Sequence, residues 1–206
     1  MSNPQMTAAI LAGGRNRRLA QDKALLPLGD KPMIMHAAER ARRMTEDIVI
    51  VAPEAQPYKN FGIPVEVDRH QGIGALAGLE TALLNLSREC LLLLACDMPF
   101  VEPAVVQLLL DEWDPKYQAV AFRIDGIVHT MPALYRRDAL FAVERLLARR
   151  EYEIHRVFQE MRIKEVGEEK LLRVDPDMKS FVNLNTLEAY KRYALEAEGK
   201  PPLSFS

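Results

Sequence analysis

Three short stretches of this 206-residue chain carry the residue types that phosphate chemistry uses. In residues 11–23, LAGGRNRRLAQDK, Gly13 and Gly14 precede Arg15, Arg17, Arg18 and Lys23. Paired glycines let backbone N–H groups approach a ligand closely, and Arg and Lys give phosphate oxygens charge-assisted hydrogen bonds. Such a loop fits a polyphosphate; the plainer alternative is a solvated basic loop. The spacing matches neither GxGxxG nor GxxxxGK[ST], which argues against a dinucleotide fingerprint and an ATPase P-loop. In residues 68–78, Asp68 stands where a strand ends, and Gly72, Gly74 and Gly78 flank the start of a helix. There a carboxylate can accept from a base or ribose edge and bare helix amides can meet a ligand; a simple turn with close packing explains the same residues. In residues 96–100, CDMPF, Asp97 closes the most apolar run of the chain. A lone charge there must face a crevice or be paired. A carboxylate opposite a phosphate loop suits Mg²⁺, which takes one or two carboxylates plus substrate phosphates and water.

Elements that position these stretches alternate along the chain. Apolar runs at 7–12, 47–52, 64–67, 90–96, 118–122 and 130–135 read as strands, and 90–96, CLLLLAC, is apolar throughout, as in a central parallel strand. Helical spacing marks 33–44, 74–86, 103–113 and 137–149. Weaker strands are expected at 163–166 and 171–174, then FVNLN leading into a helix from Thr186. The pattern predicts a single-domain, three-layer α/β/α sandwich with a mostly parallel, Rossmann-like sheet. It covers residues 1–198, with a disordered tail at 199–206. Ligands of such sheets bind beyond the carboxyl ends of the strands, where all three stretches lie.

Composition narrows the class. Hydrophobic residues are 49% and charged residues 27%, which excludes wholesale disorder. A net charge of −2 argues against a nucleic-acid binder. Cys90 and Cys96 fit unpaired thiols better than a disulfide framework. No run reaches about 18 apolar residues, so no membrane span is expected, and the N-terminus lacks signal-peptide features. The expectation is a cytoplasmic enzyme.

Four motifs occur in order across nearly the whole chain: LAGG-x-x-x-R-x-x-x-DK at 11–23, GALAGL at 74–79, CDMPF at 96–100 and FVNLNT at 181–186. Together they resemble the molybdenum cofactor guanylyltransferase family, nucleotidyltransferases of the glycosyltransferase-A-like fold. The resemblance implies Mg²⁺-dependent transfer of GMP from GTP to the terminal phosphate of molybdopterin, with loss of pyrophosphate. It implies GTP contacts at Leu11, Ala12, Gly13, Lys23, Asp68 and Asp97, with Asp97 on the metal, and the bare backbone at Gly14, Gly74 and Gly78 joins them as candidate nucleotide contacts. Arg18 matches a phosphate-contacting arginine, and Asn183 and Asn185 match asparagines on the molybdopterin side. Arg18, Lys23 and Asp97 are therefore the catalytic candidates. Ala20 and Ala75 stand where the family commonly has Gly and Pro. Transient contact with other cofactor-biosynthesis proteins and with acceptor molybdoenzymes would follow from such an activity.

Other residues read more simply. His129 reads as a polar strand end, Tyr135 and Trp113 as core anchors, and Arg136, Arg137, Arg145, Arg149 and Arg150 as a solvated face able to meet an anion. Two other functions suit the same residues: the sister cytidylyl transfer, or transfer to another phosphorylated small molecule, and a non-catalytic nucleotide-binding partner or cofactor chaperone. The intact Lys23 and Asp97 favour catalysis.

Overall fold

The computed structural model describes residues 4–13, 22–185, 189, 190 and 193. Its first half contains β1 (Met6–Leu11), a hairpin of β2 (Pro27–Leu28) and β3 (Lys31–Pro32), α1 (Met33–Arg42), β4 (Ile48–Ala52), β5 (Val65–Val67) and α2 (Ala75–Leu84). The second half contains β6 (Cys90–Ala95), α3 (Pro103–Asp111), β7 (Ala119–Ile124), β8 (Ile127–Arg136), α4 (Leu140–Ala148), β9 (Ile163–Gly167) and α5 (Glu168–Val174). No described helix is long and apolar enough to cross a membrane.

Seven strands form one sheet in the order β5-β4-β1-β6-β8-β7-β9. The parallel half, β5-β4-β1-β6, is built from continuous apolar runs because both of its faces are covered. All six residues of β1 are buried. Alternate side chains feed two cores: Ala8 and Ile10 join one that includes Ala37, Ala41 and Leu109, and Ala9 and Leu11 join one that includes Leu76, Leu79 and Leu146. Helices on both faces thus make the expected three layers. Cys90 and Cys96 are buried and free.

The other half of the sheet is mixed. β8 runs antiparallel to β6 and β7, and β9 returns parallel to β7. Asp125 (φ 49°) and Gly126 (φ 77°) both have positive φ at the β7–β8 turn, the backbone of a tight primed hairpin that an Asp-Gly pair favours. One expected strand is corrected: residues 171–174 belong to helix α5. Glu168 and Glu169 occupy its first turn and Arg173 its last, which matches the helix dipole. Only Leu171 is buried, and Leu172 and Val174 face solvent. The consecutive leucines mimic a strand run, but one buried position per turn is helical. The helix expected from Thr186, the tail at 199–206, and Gly14, Arg15, Arg17 and Arg18 lie outside the described residues.

Candidate active site

Parallel alignment of β1, β5 and β6 brings the ends of three strands to one edge of the sheet. Lys23 begins a 3-10 turn, Lys23–Leu25, just after the Gly13 loop. Asp22 caps this turn by accepting from the Ala24 N–H at 3.0 Å, and its other oxygen accepts from the Tyr58 hydroxyl. Burial, then the Asp22 carboxylate, raises the Tyr58 pKa, so the phenol stays a donor. A buried tyrosine thereby fixes the residue before Lys23.

The Lys23 ammonium is 2.5 Å from Asp97 Oδ2 and 3.4 Å from Asn183 Oδ1, and it also donates to Asn185 Oδ1. Lys23 and Asp97 are each 8% exposed. A buried ion pair of this kind persists only when further polar groups complete it, because desolvation opposes the Coulomb gain. Here the asparagine carbonyl oxygens complete the lysine. Asp97 is satisfied on one side only: its Oδ1 is buried and has no hydrogen-bond partner. The segment bearing the asparagines is tied to the β6 end by the Leu184 N–H, which donates to the Asp97 carbonyl at 3.0 Å. Four residues placed on two substrates by the sequence resemblance thus meet at one ammonium group.

At the end of β1 the backbone is partly committed to the sheet. The Ala12 N–H donates to the Val51 carbonyl, and the Leu11 carbonyl accepts from the Cys96 N–H. Gly13 has φ +116°, and a Cβ there would lie 2.6 Å from Pro53 Cδ, so only glycine fits. Burial, with Asp97 adding to it, pushes the Cys96 thiol up to about 12, so this neighbour of the site is no thiolate.

Asp68 follows β5, and its N–H donates to the Ala52 carbonyl at 2.9 Å. Its Oδ1 is buried without a hydrogen bond. Burial, and next the charge of Glu80 on α2, pushes its carboxyl up to about 6. Gly74, with φ +90°, is the N-cap of α2 and has open space where a Cβ would be. Gly78 differs: a Cβ there would come within 2.8 Å of Leu11 Cδ2. Its smallness therefore lets α2 pack closely on β1.

The remaining candidates fall elsewhere. The His129 ring meets Phe181 edge-on with centroids 5.3 Å apart, and burial lowers its pKa. Tyr135 is a buried core residue whose hydroxyl donates to the Thr130 carbonyl at 2.9 Å. The arginine face is largely matched by acids: Arg145 and Arg149 pair with Glu160, and Arg136 is 3.3 Å from Asp138. No group of three or more metal-binding side chains occurs among the described residues. Sequence reasoning missed Tyr58 and Glu80. A single carboxylate inside the otherwise uncharged ALAGLETALL helix was the available signal for Glu80.

Comparison with known proteins bears on this geometry. The family model described as MobA-like NTP transferase domain matches residues 8–166. A probable molybdenum cofactor guanylyltransferase from Carboxydothermus hydrogenoformans is 32% identical over 187 residues, covering 91% of this chain and 94% of that protein. A molybdenum cofactor guanylyltransferase from Desulfosudis oleivorans is 29% identical, covering 91% and 93%. The crystal structure of molybdopterin-guanine dinucleotide biosynthesis protein A from Archaeoglobus fulgidus superposes with a TM-score of 0.82. It is 26% identical and covers 94% of this chain and 100% of its own.

Proposed function

The chain belongs to the MobA-like NTP transferase family, and on that premise we propose that it transfers GMP from GTP to the terminal phosphate of molybdopterin. An oxygen of the molybdopterin phosphate bonds to the α-phosphorus of GTP, the α–β bridging bond breaks, and pyrophosphate leaves with the electron pair. The product is molybdopterin guanine dinucleotide. The observation that carries this reading is the cluster of the buried Lys23 and Asp97 with the more exposed Asn183 and Asn185, assembled from a 3-10 turn, the end of β6 and a segment 160 residues beyond Lys23.

Each group has a part that follows from its chemistry. Phosphoryl transfer asks the protein mainly for positioning and charge neutralisation. Lys23 stabilises charge building on the departing pyrophosphate. Both asparagine carbonyl oxygens face the lysine, so their amide N–H groups are left to donate to an anionic acceptor such as a phosphate. The nucleophile is already an anion near neutral pH, so no side chain need remove a proton. Asp97 fits a magnesium ion, since its buried Oδ1 lacks a partner and one carboxylate suffices beside substrate phosphates. Magnesium bound there supplies Lewis-acid polarisation of phosphate oxygens. Asp68, Gly74 and the backbone at Leu11, Ala12 and Gly13 line the nucleoside side. Arg18 and Gly14, outside the described residues, belong to the phosphate loop in this reading.

The test is calorimetric titration with GTP, CTP, ATP and UTP, each with and without Mg²⁺, followed by pyrophosphate release in the presence of molybdopterin. Selective GTP binding and acceptor-dependent release are expected. Selective CTP binding would reassign the chain to the sister cytidylyl reaction, and binding without release would reduce it to a nucleotide-binding partner.

A further inference from the structure

Glu80 is the residue that the proposed reaction leaves unused and that the packing does not explain. It is the sixth residue of α2, within a run from Leu76 to Leu83 that is buried at every position. The residue is 4% exposed, and its Oε2 has no hydrogen-bond partner. The half-exposed His70 ring places its Nε2 3.4 Å from that oxygen. A buried carboxyl without donors is costly, and hydrophobic residues of similar volume often replace buried charges with no loss of stability. A leucine would continue the apolar helix, so the packing of α2 does not call for a carboxyl here.

Its surroundings say what it faces. The second turn of α2 holds down the connection that follows Asp68: the Arg69 N–H reaches Thr81 Oγ1 at 3.4 Å, and His70 lies against Glu80. Glu80 is close enough for its charge to act on Asp68. Asp68 Oδ1 is likewise buried without a partner. Asp68 and Glu80 thus each keep a buried oxygen without a hydrogen-bond partner among the described residues, and Gly72 and Gly74, in the connection between them, have open space where a Cβ would be. Such a space suits an occupant that brings several donors of its own. Among nucleobases, guanine presents a ring N–H beside an exocyclic amino group. The corresponding edges of cytosine and adenine set one amino group beside ring acceptors, and uracil has a single N–H between carbonyls.

We propose that Glu80 is a second acceptor for the base edge, working beside Asp68 to select guanine through its 2-amino group. This rests on the reading of the chain as a GTP-using transferase. ITP, which lacks only that amino group, separates the two ideas. Dissociation constants for GTP, ITP and CTP, with Mg²⁺ at one pH, are measured for the wild-type chain, Glu80→Leu and Glu80→Gln. The wild-type chain should bind GTP more tightly than ITP. Glu80→Leu should lose at least about tenfold in GTP affinity, as expected for a hydrogen bond to a charged group, and change little towards ITP. Glu80→Gln keeps the shape and hydrogen-bonding capacity of the site, and should shift the GTP-to-ITP ratio in the same direction by less. Its result decides the matter if the leucine variant does not fold. A ratio unchanged in the variants, or equal weakening of GTP and ITP, would overturn the proposal, the latter because it is the signature of packing. Equal wild-type affinity for GTP and ITP with CTP excluded would also overturn it, and would leave the guanylyl reading standing. A wild-type chain that does not prefer GTP to CTP would remove the reading beneath it.

Discussion

Two regions at the same edge of the sheet are built on opposite principles. Around Lys23 the charges are matched from within: an ammonium, a carboxylate and two amide oxygens satisfy one another, and Asp97 Oδ1 is left without a partner among the described residues. Around Asp68 the acceptors are left unmatched: Asp68 Oδ1 and Glu80 Oε2 are buried without a hydrogen-bond partner among the described residues. In the proposed reaction the first region handles phosphates, whose charge can replace that of Asp97 beside the lysine. The second handles a nucleoside, which must bring donors. A cluster that is complete alone must be opened by its ligands, whereas an acceptor-rich pocket is completed by them.

Breaking the matched region should have the largest effect. Asp97→Asn preserves shape and removes the charge, and GMP transfer should fall by at least about a hundredfold, the scale of losing one electrostatic group aimed at a reacting phosphate. Transfer near the wild-type rate in a steady-state assay would end the role given to Asp97. Next in size, Asn185→Ala removes one oxygen from Lys23 and one amide from the acceptor side. KM for molybdopterin should rise roughly tenfold, with GTP affinity changed less; an equal change in both would mean that Asn185 serves only to hold the lysine.

The unmatched region gives an effect that vanishes at neutral pH and leaves a pH signature. The Asp68 carboxyl ionises at about 6 in the free protein, and a ligand that donates to it prefers the ionised form. GTP affinity should therefore fall as pH drops through 6, reaching about tenfold weaker near pH 5, and Asp68→Asn should flatten the profile. The sign for stability is opposite. The unfolded carboxyl ionises near 3.8, so this group favours the fold at low pH and loses that contribution as pH rises through about 6. At pH 7.5 Asp68→Asn should melt no lower than the wild-type chain, which thermal unfolding with and without GTP would check.

Much of this was legible in the sequence for a physical reason. Short runs such as CLLLLAC, apolar at every position, suit strands buried on both faces, and that reading places Asp97 at a strand end. Lys23, Asp68 and Asp97 could be picked out because glycines and charges beside apolar runs are exceptional. What could not be read is who meets whom. Asn183 and Asn185 gave no sign that their oxygens would reach Lys23, because that contact depends on a segment crossing the end of β6. The antiparallel β8 was hidden because its apolar run looks the same in either direction, although the Asp125-Gly126 pair marked the hairpin. Leu171 and Leu172 misled because two adjacent leucines do not define a period. Glu80 escaped because an acidic residue in a helix is ordinary until its burial is known.

The tie between the Leu184 N–H and the Asp97 carbonyl has a consequence for the order in which the molecule becomes competent. During synthesis the ribosome releases Lys23, the parallel half of the sheet and Asp97 well before residues 181–185 emerge. Until then Lys23 has its carboxylate but neither asparagine, and the acceptor side has no wall. In the proposed reaction, a nascent chain would thus be able to hold nucleotide before it could use it. Proteolytic clipping after Gly167 would return a mature molecule to that same half-built condition.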